Sequence, residues 1–242
     1  MAGSLLRMSN HAGFRFMAKS IGVGLLLATG LPVTLLAAET KATMATWEPE
    51  IAAFERMDKT NPPPPGAILF VGSSSIRLWK TLAQDFSSHH VINRGFGGSQ
   101  IADCTAFADR IILPYKPKLI LVYAGDNDIA ANRTPEQVLA DFQALVKQVH
   151  GTLPAARIEF ISIKPSISRW PLAEKVKAAN RLVEEFTRRD ARLDFIDVFT
   201  PMLGEDGRPR PELFIEDKLH MNAKGYLIWK QVIGPRLREP SR

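Results

Sequence analysis

Short apolar runs alternate along this chain with longer stretches in which apolar residues recur every three or four positions. The runs are Ala67–Val71, Val91-Ile92, Leu119–Tyr123, Ile158–Ile163 and Leu193–Val198. Helical spacing occupies Ser75–Gln84, Ile101–Leu113, Pro135–His150, Leu172–Arg189 and, at the end, Asn222–Leu237. A strand covered on both faces reads as a continuous apolar run, and parallel neighbours need a crossover that is usually a helix. The pattern therefore predicts an α/β chain whose parallel sheet is covered on both faces. Boundary residues agree. Thr134, Pro135, Glu136 and Gln137 make a cap–proline–acid helix start, and Pro114 and Pro117 close the helix before the third strand.

Upstream of this alternation the chain changes character. Trp47, Ile51, Phe54 and Met57 lie at helical spacing within Thr43–Lys59, which predicts an amphipathic helix packed on the domain. Asn61-Pro62-Pro63-Pro64-Pro65-Gly66 excludes both helix and strand and makes a stiff connector. Before it, an apolar run from Ile21 to Ala38 follows Arg15 and Lys19 and ends on small residues. Residues 1–38 are therefore expected to be a signal peptide, cut after Ala37 or Ala38. The alternative is an uncleaved anchor, because about 18 apolar residues is the lower end of a spanning helix. Gly30, Pro32 and the lack of a basic cluster after the run favour cleavage. The expected organisation is then leader 1–38, helix and connector 39–66, and one domain from 67 to 242. The mature protein would be periplasmic or extracellular, without stable membrane insertion.

Charge and cysteine content narrow the partners. The formal charge of +6 includes Arg7, Arg15 and Lys19 of the leader, which holds no acid, so the remainder carries +3. Its basic residues are scattered and not interleaved with aromatics, so no nucleic-acid partner is expected. Cys104 is the only cysteine, which excludes an internal disulfide, and a buried apolar filler is its expected role.

Four short segments each end a predicted strand or its loop with a residue that acyl transfer needs. They are Gly72-Ser73-Ser74-Ser75, Gly95-Phe96-Gly97-Gly98, Gly125-Asp126-Asn127-Asp128 and Asp217-Lys218-Leu219-His220. Loops at the carboxyl ends of parallel strands converge on one edge of the sheet, so these segments can share a cleft. Ser74 is the candidate nucleophile, and its own N–H, the Gly98 N–H and the Asn127 amide are candidate oxyanion donors. His220 is the candidate base and Asp217, three residues earlier, its orienting carboxylate. Each residue also has a plainer role. The serines could cap a helix, the glycines could serve a tight turn, Asn127 could be a turn residue, and His220 could be an ordinary surface histidine. No second histidine stands at ligand spacing from Asp126, Asp128 and His220, so no metal site is expected.

Together these segments resemble the SGNH, or GDSL, hydrolase family. Leu69-Phe70-Val71-Gly72 and Asn93-Arg94-Gly95-Phe96-Gly97-Gly98 most resemble its platelet-activating-factor acetylhydrolase-like branch. The resemblance spans about Ala67 to Leu237. It implies a flavodoxin-like three-layer sandwich with about five parallel strands and serine esterase chemistry without a metal or other cofactor. Small-molecule, glycan or lipid esters are the implied substrates. Ser73 stands where the family usually has aspartate, which implies a pocket of altered polarity. Aligning Gly72 with the family glycine places the nucleophile at Ser74. The loops at Lys164–Pro171 and Thr200–Glu216 are expected to line the acyl or alcohol pocket. Two other classes stay open: a flavodoxin-like cofactor carrier, with the serine-rich turn cradling a phosphate, and an inactive carbohydrate-binding relative.

Overall fold

The structure, a computed structural model, describes residues 33–237, with side chains from residue 45 onward. The predicted leader lies outside the described residues up to position 32. Five strands form one parallel sheet: β1 (Ile68–Gly72), β2 (Val91–Gly95), β3 (Leu119–Tyr123), β4 (Arg157–Ile161) and β5 (Leu193–Ile196). Their order is β2-β1-β3-β4-β5, the flavodoxin-like order in which the chain reverses direction across the sheet between β1 and β3. Every residue of β1 and β3 is buried because helices cover both faces.

One face carries Leu69, Val71, Ile120, Val122, Ile158 and Phe160. Against it lie α1 (Val33–Thr60), α4 (Ile101–Ala106), α5 (Ala108–Ile111), α7 (Pro135–Thr152) and α8 (Ala173–Thr187). The buried Phe142 of α7 meets Phe160 edge-on at 4.9 Å, and Cys104 of α4 is buried and free there. Burial pushes that thiol's pKa well above its usual value, so it behaves as an apolar filler. The opposite face carries Ile68, Phe70, Leu121, Tyr123 and Ile196. There, α2 (Ser74–Arg77), α3 (Leu82–Asp85) and α9 (Ala223–Ile233) cover an aromatic cluster in which Trp79, Tyr226 and Trp229 pack around Phe70 and Tyr123. The remaining α-helix, α6 (Asp126–Ala130), follows β3.

The predicted elements break where tertiary contacts override local periodicity. The helix expected over Ser75–Gln84 splits into α2 and α3. Between them Trp79 is buried, and its indole N–H and the Thr81 hydroxyl both donate to Asp85 Oδ2, at 2.8 and 2.5 Å, fixing a bend. The helix expected over Ile101–Leu113 breaks at the fully buried Phe107 and ends in a 3-10 turn, Leu113–Tyr115, which contains Pro114. Strand β2 outruns its apolar pair Val91-Ile92 because its polar residues have partners. The Asn93 side chain donates to the Ile76 carbonyl at 2.7 Å, and Arg94 is buried in a network of its own.

That network fastens α1 to the sheet. Arg94 Nε donates to the Tyr115 hydroxyl at 2.7 Å, and its Nη2 pairs with Asp58 of α1. The Tyr115 hydroxyl in turn donates to Asp58 at 2.6 Å. The guanidinium lies 5.0 Å from the Phe54 ring centre and 4.7 Å from that of Tyr115. Removing one partner from a buried charge leaves its desolvation cost without compensation. Asp58→Ala should therefore destabilise the fold by about 2–3 kcal/mol. Equilibrium urea unfolding measures this, and a change below about 0.5 kcal/mol would show that the Arg94–Asp58 pair contributes little to holding α1.

Candidate functional site

Three strands end level with one another. The parallel register pairs Gly72 with Gly95 on one side and with Tyr123 on the other. At Gly72 the backbone turns with φ +134°, and a Cβ there would stand 1.9 Å from the Tyr123 carbonyl oxygen. The next N–H, of Ser73, donates to that oxygen at 2.9 Å, so the chain leaves β1 tight against β3 and enters α2 at once. Of the three serines, Ser73 and Ser75 are 1% and 3% exposed, while Ser74 is partly open to solvent. The Tyr226 hydroxyl donates to the Ser75 carbonyl at 2.9 Å and fixes the turn from below.

The second segment leaves β2 with Phe96 N–H donating to the Gly72 carbonyl at 2.9 Å. Gly98 follows with φ +80°, a left-handed conformation that favours glycine, and it is exposed. No acceptor for its N–H, or for that of Ser74, is found among the described residues. Helix α1 supports this loop. Glu50 Oε2 accepts from the Gly97 N–H at 3.2 Å, and Glu50 Oε1 pairs with Arg77 of α2 at 3.4 Å. The Trp47 ring lies where it would sit 3.2 Å from a Cβ at Gly98.

The third segment follows Gly125, at φ +106°, and forms the first turn of α6. Asn127 Nδ2 donates to the Ser99 carbonyl at 3.0 Å, which ties this segment to the glycine loop. Asp128 is fully buried and accepts the Ile101 N–H at 3.2 Å. Burial outweighs that hydrogen bond and raises its pKa to about 6.

The fourth segment is a tight turn after β5. Phe214 pairs with Met221, the Ile215 N–H donates to the His220 carbonyl at 2.9 Å, and Lys218 adopts φ +57° between them. Asp217 Oδ1 accepts from the N–H groups of Leu219 and His220, both at 2.9 Å. Its Oδ2 stands 2.5 Å from His220 Nδ1, and His220 Nε2 stands 3.0 Å from Ser74 Oγ. Partial burial pushes the Asp217 pKa up, but the His220 side chain and these two N–H groups win and hold it at about 2. The carboxylate is thus charged at any working pH, and it fixes the imidazole with Nε2 toward the serine.

Ser74, Gly98, Asn127, Asp217 and His220 therefore meet at one edge of the sheet, although 146 positions separate Ser74 from His220. Other residues there were not singled out from the sequence. Arg169, after β4, donates from Nη2 to Asn127 Oδ1 at 3.0 Å, and its Nη1 lies 2.6 Å from Asp126 Oδ1. The buried Lys164 reaches Asp126 Oδ2 at 3.5 Å. Their signal was their position, since the Lys164–Pro171 loop also leaves the carboxyl end of a strand. Trp170 instead packs on α8, with the Lys177 ammonium 5.7 Å from its ring centre. Among the described residues no group of three His, Cys, Asp or Glu side chains could hold a metal ion.

A model of the GDSL-like lipase/acylhydrolase family matches residues 70–228. The chain belongs to this family. No curated protein matches its sequence. Among solved structures, a candidate platelet activating factor from Streptococcus pneumoniae is 21% identical, covers 85% of this chain and 99% of its own, and superposes with a TM-score of 0.71. A GDSL-like lipase from Bacteroides thetaiotaomicron is 18% identical over 77% of this chain and 96% of its own, with a TM-score of 0.67. An acetylxylan esterase from Geobacillus stearothermophilus is 14% identical over 74% of this chain and 99% of its own, with a TM-score of 0.59. The three share the fold of this GDSL-like hydrolase. Its helix α1, with Trp47 and Glu50, lies outside the matched span.

Two consequences are measurable. Gly72→Ala places a methyl group inside the van der Waals radius of a backbone oxygen at positive φ, so the variant should lose at least about 3 kcal/mol or fail to fold. Near-wild-type urea unfolding of that variant would show that the β1–β3 approach is not tight. Asp128 binds a proton in the folded chain up to about pH 6, and an unfolded carboxyl releases it near its ordinary 3.8. Between these values the folded state holds more protons, so stability falls as pH rises. Asp128→Asn keeps the Oδ1 acceptor and removes the charge, so its melting temperature should lack this decline between about pH 4 and 6.

Proposed function

We propose that this chain hydrolyses carboxylic esters through an acyl-Ser74 intermediate. The observation that supports it most directly is the continuous relay from Asp217 Oδ2 to His220 Nδ1, at 2.5 Å, and from His220 Nε2 to Ser74 Oγ, at 3.0 Å. Ser74 Oγ attacks the ester carbonyl carbon while its proton passes to Nε2. The imidazolium so formed is stabilised by the charged Asp217. Negative charge gathers on the former carbonyl oxygen, within reach of the Ser74 and Gly98 N–H groups and the second N–H of the Asn127 amide. Collapse breaks the bond to the leaving oxygen, which takes the proton from Nε2. Water then attacks the acyl group, gives a proton to Nε2, and the serine oxygen leaves with that proton to restore the resting state.

This assignment gives Asn127, Asp217 and His220 tasks that a phosphate-cradling cofactor carrier would not use. Small-molecule esters, including acylated sugars or lipids, are the proposed substrate class. Export to the periplasm or cell exterior is proposed as well, on the residue pattern of the leader at positions 1–38. No helix among the described residues is long and apolar enough to cross a membrane.

The test is hydrolysis of short-chain p-nitrophenyl esters, with labelling by a fluorophosphonate probe. Ser74→Ala should lower kcat by more than about 1000-fold and abolish labelling while the fold persists. Ser73→Ala, at a buried position, should keep activity within about threefold. Wild-type turnover in Ser74→Ala with loss in Ser73→Ala would move the nucleophile to the neighbouring position. An unlabelled, inactive wild-type protein would favour the carbohydrate-binding relative.

A further inference from the structure

The relay accounts for Ser74, His220 and Asp217 but leaves open what orients Asn127. An asparagine side chain has two nearly isosteric ends, one that donates and one that accepts, and only its partners decide which faces the site. A flipped Asn127 would turn a carbonyl oxygen toward the place where the substrate oxygen becomes negative. Two contacts prevent this. The Ser99 carbonyl, 3.0 Å from Nδ2, can only accept, and the Arg169 guanidinium, 3.0 Å from Oδ1, can only donate. Flipping the amide would break both hydrogen bonds and set like dipoles against each other at both ends.

Arg169 is itself held in place. Its Nη1 lies 2.6 Å from Asp126 Oδ1, and the other oxygen of that carboxylate faces the Lys164 ammonium at 3.5 Å. Lys164 is 2% exposed. Its burial lowers its pKa, and Asp126 opposes that shift. The Arg169 N–H donates to Ser166 Oγ at 3.3 Å, and Ser166 is buried too. The same loop grips the other half of the site, because the N–H groups of Ile167 and Ser168 both donate to the Lys218 carbonyl at 3.1 Å. Lys218 lies within the turn that joins Asp217 to His220. Residues 164–169 thus contact the amide with a side chain and the acid–histidine turn with backbone.

We propose that Arg169 is a positioning residue for the oxyanion site, holding the Asn127 amide with its free N–H toward the developing negative charge. The guanidinium also withdraws charge from Oδ1, which makes the opposite N–H a stronger donor in the transition state. This rests on Asn127 being an oxyanion donor, and the experiment separates the two statements.

Steady-state kinetics on a p-nitrophenyl ester would be measured with the full chain and with Asn127→Ala, Arg169→Met and the double variant. Active sites would be counted with the fluorophosphonate probe. Asn127→Ala should lower kcat by about 100–1000-fold. Arg169→Met should lower it by about 10–100-fold, the scale of a misplaced catalytic group, with KM within about threefold. The double variant should be no slower than Asn127→Ala, because a residue that acts only through the amide has nothing left to act on. Losses that multiply in the double variant, or an unchanged kcat in Arg169→Met, would overturn the proposal. So would a raised KM with kcat intact, which would make Arg169 a contact for the substrate itself. An unchanged kcat in Asn127→Ala would instead sink the oxyanion assignment beneath it. Should Arg169→Met not fold, Arg169→Lys carries the test. It keeps the charge on Asp126 but loses the second arm that reaches Asn127, so kcat should fall while the melting temperature holds. Full activity in Arg169→Lys would overturn the positioning role.

Discussion

Parallel pairing of β1 with β2 on one side and β3 on the other sets Gly72, Gly95 and Tyr123 at a single height. From that height the three strands release the serine turn, the glycine loop and the asparagine helix, none of which extends far before reaching its candidate residue. A slip of one residue in either pairing would reverse the facing of a whole strand, exchanging Leu69 and Val71 for Phe70 between the two cores. The register is therefore enforced by burial on both faces, and the site inherits its precision from the sheet. Gly72 is where this has a chemical consequence. The hydrogen bond from Ser73 to the Tyr123 carbonyl forms only because no side chain intervenes, and it aims the following serine outward.

Electrostatics at the site divide into two groups with different tasks. Asp217 is half exposed, carries its charge readily and contacts His220 Nδ1, which in the proposed reaction lets it stabilise the imidazolium as that charge forms. Asp126 is 7% exposed and lies between two cations, Lys164 and Arg169. Burying three charges is costly unless their hydrogen bonds are well satisfied, and a hydrophobic replacement of the set could stabilise the fold. What such a replacement could not supply is a donor-only group against Asn127 Oδ1. The buried cluster makes more sense as an orienting device than as a source of stability.

The parts legible in the sequence were those whose physics is local or periodic. β1 and β3 were found within a residue or two because full burial makes them unbroken apolar runs. Thr134 marked the start of α7 because its capping box is a local device, with the Gln137 N–H donating to its hydroxyl and its own N–H donating to the Gln137 side chain. β2 was cut short because Asn93 and Arg94 are polar, and their partners Ile76, Tyr115 and Asp58 are distant along the chain. Asp217 and His220 stood out as an acid–histidine pair three residues apart. Arg169 did not, because its target lies 42 positions away and an arginine in a loop has no periodicity to betray it. Which of three adjacent serines opens to solvent was likewise decided by packing under Tyr226 and against Tyr123, not by the triplet.

Helix α1 belongs to the same class of distant partner, and its placement changes what counts as the site. The family span begins at residue 70, yet Glu50 meets both the Gly97 N–H and Arg77, and Trp47 closes against Gly98. A glycine loop that offers a free N–H has few side chains of its own to hold it still, and the missing Cβ broadens its conformational choice. Glu50 restricts that choice from outside, accepting from Gly97 and leaving the N–H of Gly98 unspent. The indole ring packs edge-on against Phe96 of the loop at 5.7 Å and stands where a side chain at Gly98 would meet it. Asp58 and Arg94 anchor the far end of the helix, and Arg110 of α5 pairs with Glu48 at 2.7 Å and Glu55 at 2.6 Å on either side of Glu50. Helix α1 is thus a structural member of the site, although it lies outside the span that the family model matches.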